Sequence, residues 1–364
     1  MLKIAYEYIL KPMHQNNKQV VTAIVSYGMS GSIFHAPLLH THPGFLIKTI
    51  LQRTNNSSLE KYPYVTIART YEDVLSDKEV ELVVVNTPDD THYRFASMAL
   101  DAGKHVIVEK PFTTIVEDGE KLIKLAKKKK KLLSVFQNRR WDGDFLTVQK
   151  IIQQNVLGRL VEYEAHFDRY RNYIQDSWKE SPEHHTGTLY NLGSHLIDQV
   201  LVLFGMPEAV FADVRIMRKG GRVDDAFDLR LYYNDVKVTL KAGYLVREPG
   251  AKFMVHGTKG SFVKFGIDPQ EEDLKQGRLP YDKNWGTEPE SEWGILNTDI
   301  NGIHVRKKVE TEAGCYMEYY SNILNAIKKG AALSVRPEEA LDVIRIIEAA
   351  YRSSEQRQLV SFTT

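Results

Sequence analysis

Short apolar runs alternate with amphipathic stretches along the chain up to residue 140. Short continuous runs are typical of strands covered on both faces of a sheet, and a helical apolar period is typical of helices packed beside them. The predicted strands are 20–26, 46–52, 81–86, 105–108 and 132–136, and the predicted helices are 32–40, 71–75, 91–102 and 115–129. This alternation predicts an α/β unit with a parallel sheet. Pro37 lies inside the first helix and is expected to kink or shorten it.

After Trp141 the pattern changes, because strands now follow one another with short polar turns between them. Helices are predicted at 145–154, 194–204 and 337–357, and strands at 161–170, 209–217, 226–233, 236–244, 253–256 and 261–265. Turns such as Asn234-Asp235 predict hairpins and hence an antiparallel sheet. Residues 268–311, rich in Gly, Pro, Asp and Glu, are predicted to be irregular. We therefore expect two domains, 20–140 and 141–364, after an extension 1–19 to which no role is assigned.

Composition and charge argue against several kinds of partner. The formal net charge of +1 gives no reason to expect nucleic acid or an anionic membrane surface. No apolar run reaches the roughly 20 residues of a membrane-spanning helix, and the single Cys315 fits a reducing cytoplasm. His184-His185 resembles a metal-binding pair, but no further ligands are spaced around it, so we expect no metal.

The turn between the first predicted strand and helix resembles a dinucleotide-binding fingerprint. Gly28 and Gly31 hold the second and third glycine positions of that fingerprint, while Ser26 stands at the first. Such a turn offers backbone N–H groups to a pyrophosphate, but the motif by itself is weak and also fits an ordinary bend. Its place at the head of a strand–helix–strand alternation favours the nucleotide site. The predicted cofactor contacts here are Ser26, Gly28, Ser30 and Gly31.

The end of the second predicted strand bears on which dinucleotide is bound. It reads LQRTNN, with Arg53 and Thr54 but no acidic residue to hold the ribose hydroxyls of NAD. A guanidinium beside a hydroxyl suits a 2′-phosphate, so NADP is favoured, with NAD possible. The alternative is that Arg53 is simply a surface residue.

Two further strands end in polar segments, VVVNTPDDTHY and HVIVEKPF. In an open α/β sheet, the ligand crevice lies beyond the carboxyl ends of the strands, so both segments are expected to face the nicotinamide. The residues predicted to contact the cofactor here are Thr87, Pro88, His92, Glu109 and Lys110. The Lys110-Pro111 bond is a candidate for the cis form.

These motifs, joined to LYNLGSHLIDQVLVLFGMP at 189–207, resemble the Gfo/Idh/MocA oxidoreductase family. Stretches such as GSIFHAPLL, QNRRWDGDFLT and FDRYR are similar to its bacterial NADP-dependent scyllo-inositol dehydrogenase branch. The resemblance implies a Rossmann domain followed by a substrate-binding and oligomerisation domain with a large, open-faced, mostly antiparallel sheet. It also implies a homodimer or homotetramer formed through that sheet, and hydride exchange between nicotinamide and a secondary alcohol of a sugar, inositol or related polyol.

The resemblance implies that Lys110 contacts the reacting hydroxyl and that His195 is the acid/base. His195 opens a predicted helix, whose N-terminus disfavours imidazolium and leaves a neutral base. The family has Asp four residues before this histidine, whereas this chain has Asn191. Asn191 is expected to orient the imidazole by hydrogen bonding, without the charge that would stabilise imidazolium.

Polyol contacts are predicted from polar residues of the second half and its junction with the first: Asn138, Arg139, Tyr170, Asn191 and His195, besides Lys110. The segment HFDRYRNY, residues 166–173, alternates, so one of its faces is expected to line the cleft. For Tyr170 and the arginines, plain packing or a role in an interface is an equally good interpretation. The rival to an enzyme is a nucleotide-sensing regulator on the same fold without turnover, which Ser26 and Asn191 favour and Lys110 and His195 oppose.

Overall fold

The computed structural model describes residues 19–175, 177–184 and 186–362 of the chain. The predicted extension 1–19 therefore lies, apart from its last residue, outside the described residues, as does His185. Within these ranges, no helix is long and apolar enough to cross a membrane.

The first sheet has six parallel strands in the order β3-β2-β1-β4-β5-β6. Its strands are β1 (Val20–Ile24), β2 (Phe45–Leu51), β3 (Thr66–Ala68), β4 (Leu82–Val85), β5 (His105–Val108) and β6 (Leu133–Val135). All the predicted strands are present. Their side chains are buried between layers of helices, and β4 is buried at every position. Only the short edge strand β3 was not predicted. The strand order reverses between β1 and β4, which is where ligands bind in such sheets.

Helices cover this sheet on both faces: α1 (Ala36–Thr41), α2 (Tyr71–Ser76), α3 (His92–Asp101) and α4 (Val116–Lys129). The first predicted helix is divided, because a π-helical turn, Gly31–His35, precedes α1. Pro37 is the second residue of α1, so its missing N–H falls where the helical run changes from the π to the α form. The expected irregularity thus takes the form of a wider turn before the proline.

The second sheet has nine strands in the order β14-β13-β12-β11-β7-β10-β9-β8-β15. They are β7 (Leu160–His166), β8 (Ala209–Arg215), β9 (Ala226–Tyr232), β10 (Lys237–Gly243), β11 (Phe253–Gly257), β12 (Gly260–Lys264), β13 (Gly294–Ile300), β14 (Ile303–Val309) and β15 (Val360–Ser361). All neighbours pair antiparallel except β7 and β10. The predicted α/β fold with a mostly antiparallel second sheet is confirmed.

The helices of the second half are α5 (Gly143–Gln153), α6 (Ser194–Phe204), α7 (Gln270–Lys275), α8 (Met317–Lys329) and α9 (Pro337–Gln356). The long helix α9 packs on β8 and also against α6 and α4, so it joins the two halves. On β8 and β9, Phe211 and Tyr232 are exposed, which shows that the sheet presents an open face.

The prediction of an irregular segment at 268–311 is wrong. This segment contains α7 and the hairpin of β13 and β14. The hairpin turn is Asn301-Gly302, where both residues have positive φ (52° and 77°), as a two-residue turn of this kind requires.

Candidate active site

A cavity of about 540 Å³ lies between the carboxyl ends of the first sheet and the helix-covered side of the second half. It is lined by most of the predicted site residues: Ser26, Gly28, Ser30, Arg53, Thr87, Pro88, Glu109, Lys110, Asn138, Arg139, Asn191 and His195. The fold thus brings residues from distant parts of the chain to one place. Gly31, Thr54, His92 and Tyr170 are not among the lining residues.

The turn after β1 is shaped for a ligand that approaches its backbone. The Gly28 N–H donates to Ser26 Oγ (3.2 Å), and the Asn86 side chain donates to the Ser26 carbonyl (2.8 Å). A Cβ on Gly31 would lie 2.0 Å from that carbonyl, so only glycine lets the helical run pack against the turn. Gly31 therefore acts through packing, and the hydroxyl of Ser26 occupies the turn without blocking the cavity. This geometry fits a dinucleotide, with its pyrophosphate at the start of the helical run.

Arg53 follows β2 and lines the same cavity, and its side chain is exposed. Among the described residues it makes no ion pair or hydrogen bond, so its guanidinium is free to meet a ligand. Thr54 is exposed beside it but does not line the cavity, so the prediction of a contact from Thr54 is not supported by its position.

His92 has a different place from the one predicted. It is fully buried, and its ring nitrogens lie 2.8 Å from the Pro111 carbonyl oxygen and 3.0 Å from that of Thr87. The imidazole therefore joins the two loops that follow β4 and β5. It supports residues of the cavity wall and does not itself reach the cavity.

Lys110 connects the two halves of the chain. Its Nζ donates to the Asn191 carbonyl (3.1 Å) and to Asn191 Oδ1 (3.0 Å), and the Lys110-Pro111 bond is cis, as the sequence suggested. Burial lowers the pKa of Lys110 to about 8, although the nearby carboxylates of Glu109 and Asp89 act in the opposite direction. Lys110 is thus an ammonium that loses its proton just above neutral pH.

A buried chain of hydrogen bonds supports Lys110 from behind. Glu109 accepts from the Lys110 backbone N–H (2.9 Å) and contacts His35 Nε2 (3.0 Å), while His35 Nδ1 lies 2.6 Å from the Tyr320 hydroxyl. One neutral tautomer satisfies the whole chain: Tyr320 donates to Nδ1, and the Nε2–H donates to Glu109. The hydrogen bond from His35 holds the pKa of Glu109 below its usual value against the effect of burial.

The prediction that His195 sits at a helix N-terminus is wrong. The π-helical turn Leu189–Gly193 runs directly into α6, so His195 lies inside a continuous helical segment. Its pKa is nevertheless lowered well below the usual value, first by burial and then by Lys110 and other cations. Its Nδ1 is buried without a hydrogen-bond partner among the described residues. The imidazole is neutral, as predicted, but for a different physical reason.

Asn191 does not orient His195, contrary to our prediction. Its Oδ1 accepts from Lys110, and its Nδ2 lies 3.5 Å from the Tyr244 hydroxyl. Asn191 and His195 are nevertheless one helical turn apart and line the same cavity, so Lys110, Asn191 and His195 form one cluster.

The two polar residues at the junction of the halves are more constrained than expected. Asn138 is buried in the cavity wall. Arg139 is also buried, where it donates to Asp142 (3.2 Å) and Glu271 (2.5 Å). Arg139 therefore lines the cavity with its charge already balanced.

Contrary to our prediction, Tyr170 lies on the face of its strand-like segment that points away from the cavity. The segment after β7 is hydrogen bonded to the chain around Tyr244, for example through the Arg169 N–H to the Gly243 carbonyl (2.9 Å). Alternation then directs Arg169 and Arg171 into the cavity, while Tyr170 is exposed beneath Arg247 (4.2 Å to the ring centre). The alternation of this segment was predicted, but the residues that line the cavity are the arginines.

Sequence reasoning missed several further lining residues: Asp89, Arg169, Arg171, Trp178, Lys179 and Tyr244. Asp89 and the two arginines carried a signal, because Asp89 lies in the predicted cavity-facing segment VVVNTPDDTHY and the arginines occupy alternate positions in the segment 166–173. Tyr244 ends a predicted strand, and Trp178 and Lys179 come from a loop whose place depends on contacts distant in sequence.

Comparison with known proteins agrees with this geometry. Residues 20–137 match a family model described as oxidoreductase family, NAD-binding Rossmann fold, and residues 149–362 match the C-terminal alpha/beta domain of the same oxidoreductase family. A scyllo-inositol 2-dehydrogenase (NADP(+)) of Bacillus subtilis is 40% identical over 94% of this chain and 95% of that protein.

Solved structures give the same result. A putative oxidoreductase from Bacteroides fragilis is 50% identical with a TM-score of 0.88, over 95% of this chain and 100% of that one. The putative oxidoreductase yvaA from Bacillus subtilis is 39% identical with a TM-score of 0.92, over 96% and 100%. The predicted family is confirmed, and so is the enzyme class, a dehydrogenase with a domain that binds a nicotinamide dinucleotide.

Proposed function

Because this chain belongs to the Gfo/Idh/MocA oxidoreductase family, we propose that it transfers a hydride between NADP(H) and a secondary alcohol or ketone of a sugar, inositol or related polyol. One observation carries the proposal. Lys110 from the first half and His195 from the second line the same cavity, and Lys110 is bonded to Asn191 one helical turn from His195. An ammonium and a neutral imidazole are the two groups that such a reaction needs.

NADP is supported by the end of β2. Arg53 reaches the cavity unpaired, and no acidic residue follows β2 to hold the ribose hydroxyls of NAD. A guanidinium stabilises a 2′-phosphate through charge-assisted hydrogen bonds. The similar dehydrogenase of Bacillus subtilis uses NADP(+), which agrees with this assignment.

The bound dinucleotide supplies the acceptor of the hydride that leaves the alcohol carbon. The proton of the alcohol goes to His195, whose imidazole is kept neutral because burial and the neighbouring cations lower its pKa. Lys110, while protonated, donates a hydrogen bond to the same oxygen and stabilises its developing negative charge. In the reverse direction, His195 returns a proton to the carbonyl oxygen.

The experiment is a hydride-transfer assay with a panel of polyols, cyclitols and the matching ketoses, followed by the absorbance of reduced nicotinamide. We expect turnover, with kcat/KM at least about tenfold higher with NADP+ than with NAD+, as one charge-assisted hydrogen bond provides. Binding of the dinucleotide with no turnover on any member would instead support a nucleotide-sensing regulator.

We also propose that the protein is a cytoplasmic homodimer or homotetramer that associates through the open face of the second sheet. The exposed Phe211 and Tyr232 on β8 and β9 support this face, and the single cysteine supports the compartment. Light scattering on the intact protein and on Tyr232→Lys distinguishes an assembly through this face from one through another surface.

A further inference from the structure

Besides Arg218 and Lys275, whose charges are paired, three cationic side chains line the second-half wall of the cavity: Arg169, Arg171 and Lys179. Within the described ranges, none of them forms an ion pair or a side-chain hydrogen bond. Each lies instead against an aromatic ring, Arg169 on Phe167 (5.2 Å), Arg171 on Tyr244 (5.5 Å) and Lys179 on Trp178 (5.7 Å). Ring faces attract cations without using their N–H donors, so these donors remain available to a ligand.

The acidic residues of the cavity are engaged with other partners. Glu180 binds Arg218 through both carboxylate oxygens (3.1 and 3.0 Å), and Glu271 binds Arg139 (2.5 Å) and Lys275 (2.8 Å). Glu180 and Glu271 therefore form no ion pair with the three cations, although the charge of Glu271 favours the protonated form of Arg169.

The remaining acidic residues are no better placed to neutralise them. Glu109 is bonded to His35, while Asp224 accepts from the Leu189 N–H (2.8 Å) and contacts the Tyr351 hydroxyl. Asp89 interacts electrostatically with Lys110 and Lys179, but burial raises its pKa and weakens it as a counter-charge. Counted over the described residues, an excess of positive charge therefore remains on this wall.

Holding these three cations close together without a bound anion costs free energy. Burial lowers the pKa of Arg169 against the opposing charge of Glu271, and repulsion from Arg171 and Arg139 adds to the lowering. The Nε–H of Arg169 is buried and has no acceptor among the described residues. A buried donor without a partner marks a place where an external acceptor is expected.

The dinucleotide is not that acceptor in our assignment. Its phosphates are placed at the turn after β1 and at Arg53, both in the first half. The three cations belong to the second half and surround the reacting groups, since Arg169 lowers the pKa of His195 and Lys179 that of Lys110. They therefore face the substrate.

Resting on the proposed function, we propose that the substrate is anionic, with a carboxylate or a phosphate monoester held by Arg169, Arg171 and Lys179. Guanidinium groups match both oxyanions with paired N–H donors. A neutral polyol offers hydroxyl oxygens but leaves the positive charge of this wall uncompensated.

The test compares glucose with glucuronate and glucose 6-phosphate, and myo-inositol with myo-inositol 1-phosphate, using the intact protein and NADP+. We expect kcat/KM about 100-fold higher for a charged member than for its neutral partner, which is the scale of a charged hydrogen-bond pair. In Arg169→Gln/Arg171→Gln this ratio falls to within about threefold. The control Arg247→Gln, outside the cavity on the opposite face, keeps the ratio, and Lys179→Gln repeats the test if the double variant does not fold.

Preference for glucuronate assigns a carboxylate and preference for a phosphate ester assigns a phosphate, and both support the proposal. Equal turnover of charged and neutral members, or a preference that survives the double variant, overturns it while the proposed function stands. If nothing is turned over, the proposed function fails, and calorimetry on the NADP+ complex decides the anion site. If the charged members bind more tightly than their neutral partners, and the double variant loses this difference, the anion site is supported. Equal binding, or no binding of the charged members, overturns it.

Discussion

The two walls of the cavity differ in how their polar groups are satisfied. On the first-half wall, Ser26 is bonded to Asn86, Glu109 to His35, and Lys110 to Asn191, while Asn86 Oδ1 and Arg139 Nε are buried without a partner among the described residues. On the second-half wall, Arg169 Nε and His195 Nδ1 are buried without a partner in the described part of the chain.

This difference separates two tasks. Groups that are already bonded to one another form a rigid site, which suits a cofactor that is the same in every reaction cycle. Unsatisfied buried donors and acceptors are rare in proteins, so both walls keep groups for a ligand. The second wall differs in carrying three cations without an ion pair, Arg169, Arg171 and Lys179, against Arg53 on the first. This difference supports the proposed placement of the dinucleotide at the first wall and of an anionic substrate at the second.

Removing one reacting group from each wall gives the largest expected effect. Lys110→Ala and His195→Ala should each lower kcat about 1000-fold, because the first removes oxyanion stabilisation and the second the base. The dissociation constant of NADP+, measured by calorimetry, should change little in either variant. Tyr170→Phe is the control, since Tyr170 points away from the cavity, and it should keep full activity. Turnover retained in either alanine variant would show that the reacting groups are elsewhere.

The next largest effect concerns the cofactor wall alone. Arg53→Gln should weaken NADP+ binding about 30-fold, the loss of a charge-assisted hydrogen bond. Binding of NAD+ should stay within about twofold, because NAD lacks the 2′-phosphate. Arg94→Gln, an exposed arginine of the same half that does not line the cavity, is the matched control. Equal losses for both dinucleotides would remove the argument for NADP.

The first wall was predictable because its signals are local. A buried apolar run ends, and the polar residues that follow it must lie at the carboxyl edge of the sheet. Glu109 and Lys110 were found in this way. His92 was not placed correctly, because the same position at a strand end serves equally to brace a neighbouring loop.

The second wall was less predictable because its geometry depends on distant contacts. The alternation of residues 166–173 separates Tyr170 from Arg169 and Arg171, but pairing with the chain around Tyr244 decides which set faces the cavity. The position of His195 likewise depends on the π-helical turn before α6, which no simple pattern announces. In contrast, the hairpin of β13 and β14 was missed although Asn301-Gly302 is a recognisable turn signal.

A smaller effect is expected where the two walls meet, at the bond between Lys110 and Asn191. Oxidation of the alcohol should decline as pH rises past the pKa of Lys110, about 8, because the ammonium is lost. Asn191→Asp places a negative charge beside Nζ, which favours the protonated form and raises this pKa. The alkaline limb of kcat/KM should move upward by about one pH unit. Asn191→Ala is the control that removes the side chain without adding charge, and an unmoved limb in Asn191→Asp would separate Lys110 from the pH dependence.

The smallest effect tests whether the support behind Lys110 matters for turnover or only for stability. Tyr320→Phe removes the hydroxyl that faces His35 Nδ1, so the neutral imidazole can move its proton away from Glu109. We expect a loss of about 1–2 kcal/mol in the free energy of unfolding and a decrease in kcat of about threefold, with KM nearly unchanged. The adjacent Tyr319 is equally buried, but its hydroxyl bonds Ser134 Oγ (3.1 Å), which has no link to Glu109. Tyr319→Phe should therefore lose similar stability in urea unfolding and keep its kcat. If both variants lower kcat equally, the hydrogen-bonded chain stabilises the fold without positioning Lys110, and the rigidity of the first wall would come from packing alone.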